Sequence, residues 1–195
     1  MFIDWLTLLL LNMMVALILH ALFMGFWIDK DPKKIIPGFL LTGAIALIAG
    51  FRMVFAWPLP GAYNIIYGEL SVLFGAFLFM AGLAVHFGWN LLTIGIYSLF
   101  GGAVAILMGV RIWVSGMTSE PFVAGLGFVV TGVTAVITLP GLALPKMKWI
   151  RWLVALGALG SAIIWILVGF PAYWAHIDSF GKWVPLVMRG AAPAQ

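Results

Sequence analysis

WLTLLLLNMMVALILHALFMGFWI, residues 5–28, decides the fold. Between Asp4 and Asp29 it holds no acid, lysine or arginine. A helix needs about 20 apolar residues to cross the hydrocarbon of a bilayer, so this run predicts one transmembrane helix. The same kind of gap recurs from Glu69 to Arg111, Glu120 to Lys146 and Arg151 to Asp178. The whole chain of 195 residues is 65% hydrophobic and 8% charged. A water-soluble domain carries roughly a quarter charged residues. Lipid is therefore the expected solvent, and the bilayer the first expected partner.

Punctuation between the gaps divides the chain into six spans, at about residues 3–28, 36–57, 65–87, 91–114, 120–140 and 149–170. The first ends in DKDPKK, and the second at WPLPG, where two prolines and a glycine form a tight turn. Asn64 is placed to cap the third helix, and Thr118 or Ser119 the fifth. The expected architecture is an all-α integral membrane bundle over residues 1–171. Residues 172–195, with Trp174 and Trp183, are expected to form an interfacial segment. MFIDW has no basic n-region, so the first span is expected to remain uncleaved. Six basic residues, Lys30, Lys33, Lys34, Lys146, Lys148 and Arg151, share one face. Arg52, Arg111, Lys182 and Arg189 share the other, which favours a multi-pass cell-membrane protein with both termini outside the cytoplasm. The net charge of +4 is thus a matter of topology, and nucleic acid is not an expected partner.

An internal repeat is expected as well. GAIALIAGFRMV (43–54) lies over GAVAILMGVRIW (102–113) at an offset of 59, with a weaker echo in the sixth span. ELSVLFGAF (69–77) lies over EPFVAGLGF (120–128). The pattern suggests repeated helical hairpins. Ala46/Gly50 and Ala105/Gly109 are small-xxx-small pairs, and Gly68, Gly75 and Gly82 recur every seven residues. These residues predict seams where backbones approach closely.

Two constellations are candidates for chemistry. Arg52 and Arg111 end helices, Glu69 and Glu120 begin the following ones, and all four fall towards one face. Charges near hydrocarbon are costly unless paired, so Arg52 with Glu69 and Arg111 with Glu120 are expected as ion pairs, or as a ligand site. Asn64 and Tyr67 stand beside them in sequence. His20 and His86 reach similar depths, about 22 and 25 Å from the outer interface at 1.5 Å per residue. Two histidines on facing helices can hold a haem iron, so haem b is the one cofactor with any support. No metal site is expected: cysteine is absent, and the ten methionines are scattered. GxSxG, HExxH, P-loop and dinucleotide fingerprints are all missing, which argues against an enzyme.

At WPLPGAYNIIYGELSVLFG (57–75) the chain resembles a family of uncharacterised six-helix membrane proteins of archaea and bacteria with a WPLPGxYNIxxGE-like segment. The likeness extends to GVRI (109–112) and AYWAHIDSF (172–180). It implies the fold and draws attention to Asn64 and Glu69, but brings no activity. The residues favour a non-catalytic subunit packed in a larger membrane complex, respiratory or photosynthetic in type, or self-associated. A small-solute or ion transporter using the Arg/Glu cluster is the alternative, a haem b redox protein the third reading, and an enzyme acting on lipid or quinone the last.

Overall fold

A computed structural model describes residues 4–178. Six helices are long and apolar enough to cross a membrane: α1 (Trp5–Trp27), α2 (Pro32–Ala56), α3 (Asn64–Phe87), α4 (Leu92–Ser115), α5 (Pro121–Ala143) and α6 (Lys148–Asp178). No strand occurs among the described residues. The protein is an all-α integral membrane bundle.

Local chemistry explains the helix ends. Asp4 precedes α1 and accepts a hydrogen bond from the Thr7 amide at 3.2 Å, satisfying one free N–H of the first turn. Prolines open α2 and α5, where a missing N–H costs nothing. Gly88 and Gly116 close α3 and α4 in the left-handed region. Two expected caps do not form. Asn64 accepts from the Leu59 amide at 3.0 Å and donates to the Leu59 carbonyl at 2.6 Å, so it braces the WPLPG turn. Glu120, not Thr118 or Ser119, precedes α5, and makes no side-chain cap.

Two boundaries also move. α5 runs through Pro140 to Ala143, and α6 runs through Pro171 to Asp178. A proline removes one backbone bond without ending a helix that neighbours hold in place. The interfacial segment expected from 172 therefore begins as a continuation of α6, and its remainder, 179–195, lies outside the described residues.

Each helix packs on its neighbours in the chain, and α6 returns to α1, closing a ring. Three pairs are closest: α2 with α3, α4 with α5, and α6 with α1. Glycine sets the first two. A Cβ on Gly43 would stand 2.5 Å from the Phe79 nitrogen, and one on Gly75 2.8 Å from the Leu47 nitrogen. Across α4 and α5, a Cβ on Gly102 would stand 2.6 Å from the Gly132 carbonyl oxygen, and one on Gly109 2.7 Å from that of Gly125. Backbones this close gain dispersion and Cα–H···O contacts, the main sources of helix adhesion where lipid supplies no hydrophobic drive.

The third pair is held differently. Asp4 pairs with His176 at one end of α1 and α6. At the other end Asp29 pairs with Arg151, and with Lys148 at 3.8 Å. Arg151 is buried and also donates to the Gly141 carbonyl at 3.0 Å, one of the last carbonyls of α5 that the helix itself leaves free.

Candidate interior polar site

The expected ion pairs at the Arg/Glu end are absent. Arg52, Glu69, Arg111 and Glu120 are all exposed, and none takes part in an ion pair among the described residues. Adjacency across a turn does not bring the charges together, because Arg52 and Glu69 both project from the bundle surface. Asn64 is fully buried, but both ends of its amide are engaged by the turn. Tyr67 is buried in the core against Phe128, with ring centroids 5.3 Å apart. The six candidates therefore form no common pocket.

The histidines separate too. His86 is exposed at the end of α3, its ring against Phe87. His20 is 7% exposed, with Phe39 stacked beside it and Phe77 edge-on. Its Nε2 lies 3.0 Å from the Thr138 hydroxyl. The space next to it is a cavity of about 40 Å³, far smaller than a porphyrin. These residues do not fit haem b.

That cavity is faced almost wholly by apolar atoms, although His20, Ser98, Thr131 and Thr134 are among the residues around it. It is lined from α1 by Met13, Ala16, Leu17 and His20, and from α3 by Phe74, Phe77 and Leu78. Ser98 of α4 and Thr131, Thr134 and Ala135 of α5 complete it. Every hydroxyl has a partner. Ser98 donates to the Ala135 carbonyl at 2.9 Å, Thr134 to Val130 at 2.8 Å and Thr138 to Thr134 at 2.9 Å. Thr131 accepts from the indole N–H of Trp165 at 2.9 Å. The His20 Nδ1 has none among the described residues. A buried polar atom without a partner costs about 1–3 kcal/mol.

Helix geometry assembles this group. Thr131, Thr134 and Thr138 fall at i, i+3 and i+7 on α5, so they share one inward stripe. The return bonds of Thr134 and Thr138 to carbonyls one turn back let those hydroxyls sit in an apolar helix at little cost. Gly157 of α6 makes room for Thr134: a Cβ there would meet its hydroxyl at 2.5 Å. Beyond Thr131 the core continues through Trp165, Phe128, Tyr67 and Tyr63, with ring centroids 5.0, 5.3 and 6.4 Å apart. Tyr63 then accepts from the Thr118 amide at 3.0 Å, tying together the two turns at that end. The column is flanked by two π-helical turns, Phe23–Trp27 just after His20 and Asn64–Glu69 around Tyr67. Such turns are rare and concentrate at functional sites.

On the α3/α4 side the helices pack less tightly than at the glycine seams. Gly101 is buried, yet a Cβ there would find nothing nearer than Phe74 at 3.9 Å. Among the described residues no group of three metal-ligating side chains comes together.

No curated protein and no solved structure matches the chain. One family does, over residues 1–179, and its description is "protein of unknown function (DUF981)". The chain belongs to that DUF981 family of uncharacterised proteins.

Proposed function

We propose that this chain is a cell-membrane transporter or channel for a small solute, and that the His20 cavity is its central site. One observation carries the proposal: residues of α1, α3, α4 and α5 enclose a cavity inside the bundle, and beside it lies His20, a buried histidine whose Nδ1 has no partner among the described residues. A bundle built only to pack has no need of that histidine, since an apolar residue would avoid the cost. The transport role stays with the alternative drawn from the sequence, but its site moves from the exposed Arg/Glu set to the core. The two glycine-seamed hairpins serve as its frame, with 43–54 and 102–113 as repeats. In this proposal both termini lie outside the cytoplasm.

A non-catalytic subunit of a larger membrane assembly is the second reading. It is favoured by Arg52, Glu69, Arg111 and Glu120, which are exposed at one end and would be neutralised by counter-charges on a partner. Permeability of proteoliposomes to water, ammonia, urea and glycerol tests the choice, together with native mass spectrometry from mild detergent. Permeability above that of protein-free vesicles is expected. Vesicles no leakier than lipid alone, from a folded chain that extracts with partner subunits, would overturn transport in favour of the subunit.

A further inference from the structure

We infer that the chain is three tandem copies of one two-helix unit, α1–α2, α3–α4 and α5–α6, set in a ring about an axis along the membrane normal. The inference goes beyond the transport reading and does not rest on it. It begins with three glycines. Gly50, Gly109 and Gly169 stand at steps of 59 and 60 residues on α2, α4 and α6. A Cβ on Gly50 would stand 3.0 Å from the Gly68 carbonyl oxygen and 2.9 Å from the Val72 nitrogen of α3. One on Gly109 would stand 2.7 Å from the Gly125 carbonyl oxygen and 3.0 Å from the Val129 nitrogen of α5. One on Gly169 would stand 3.4 Å from the Leu10 Cβ of α1, with Met14 beside it. Each glycine thus meets two positions, four apart, on the next helix of the ring. Those positions recur at steps of 58 and 57 residues along α1, α3 and α5. α6 closes on α1 as α2 does on α3 and α4 on α5.

The other faces keep the same steps. Ile48, Leu107 and Leu167, each two residues before its glycine, are 67%, 62% and 64% exposed. Burial alone recurs every seven residues on a helix, but the glycine contacts fix one register. α1, α3 and α5 are the more buried helices, and they meet pairwise. His20 of α1 lies edge-on to Phe77 of α3, with centroids 5.8 Å apart, and its Nε2 lies 3.0 Å from the Thr138 hydroxyl of α5. Tyr67 of α3 meets Phe128 of α5 at 5.3 Å. On this inner wall Ala16 matches Phe74 and Thr131, and His20 matches Leu78 and Ala135, again at steps of 58 and 57. All six line the cavity, so the cavity lies on the axis and all three units enclose it. A unit of two spans returns to the side it left, so successive copies run parallel, as repeats about a membrane-normal axis must. The copies differ at the closure. Leu10 stands where α3 and α5 have Gly68 and Gly125. Its side chain keeps α6 from coming as near, and the pairs Asp4–His176 and Asp29–Arg151 hold that seam.

The chain has no cysteine, so pairs of spin labels can be placed on exposed sites without disturbing the packing. The test uses three full-length double variants in lipid nanodiscs: Ile48→Cys with Leu107→Cys, Leu107→Cys with Leu167→Cys, and Ile48→Cys with Leu167→Cys. Double electron–electron resonance is expected to give three matching distances. Relaxation by oxygen dissolved in the bilayer should place the three labels at one depth. Phe51, Val110 and Phe170 form a second exposed set at the same steps, and labels there should repeat the result. A distance from α2 to α6 unlike the other two, or a label on α6 at its own depth, would overturn the threefold arrangement. Permeability tests the other claim separately: matching distances in a protein that passes nothing would keep the ring and end the transport reading.

Discussion

Gly101 and Gly102 are neighbours on α4, yet they sit in two different kinds of packing. Beside Gly102 the next helix is so near that a Cβ would stand 2.6 Å from a backbone oxygen. Beside Gly101 the nearest atom would be 3.9 Å away. The first belongs to a seam that fixes two helices as one unit. The second belongs to the looser wall between α3 and α4, next to the residues that line the His20 cavity. Packing is thus tighter within the α2/α3 and α4/α5 hairpins than between α3 and α4.

Breaking a seam should have the largest effect. Gly102→Val forces α4 and α5 apart and is expected to cost about 3 kcal/mol or more, read as loss of the folded monomer by thermal melting in detergent. Next comes the pair that has ions in place of a backbone seam. Arg151→Gln leaves the Gly141 carbonyl unsatisfied and weakens the hold on Asp29. A loss of about 2 kcal/mol is expected, because hydrogen bonds to charged groups contribute about 1.5–3. A melting point unchanged by that substitution would show that α6 and α1 need no ionic clip. Gly101→Ala should go the other way, with a gain of up to about 1 kcal/mol from helix propensity and no clash. A loss as large as that of Gly102→Val would erase the contrast between the two walls. The smallest effect is expected at Glu69→Gln, with melting and permeability both close to the parent, since that carboxylate is exposed and makes no ion pair among the described residues.

How much of this could be read beforehand depends on the range of each interaction. The spans were legible because a charge-free run is a local property, and all six appear within a few residues except at the end of α6. The seams were legible for the same reason. Gly50, Gly68, Gly75 and Gly82 are spaced to share helix faces, and each lies in the α2/α3 contact. Partners across the ring were not legible. His20 meets Thr138 118 positions away, and Arg151 meets Asp29 122 positions away. Nothing in the chain says that α1 borders α5 or α6. The ion pairs were sought across short turns, and they form across the bundle. One clue went unused: Thr131, Thr134 and Thr138 mark an inward polar stripe on an apolar helix. Its meaning comes only with the histidine it faces.

The most direct test of the interior site is permeability of vesicles holding His20→Phe, matched to the parent in protein content and melting temperature. Phenylalanine reshapes the cavity and removes the buried ring nitrogen that has no partner among the described residues. Solute permeability reduced to that of bare lipid is expected, in a protein that remains folded. Parental permeability in a folded His20→Phe protein would contradict it.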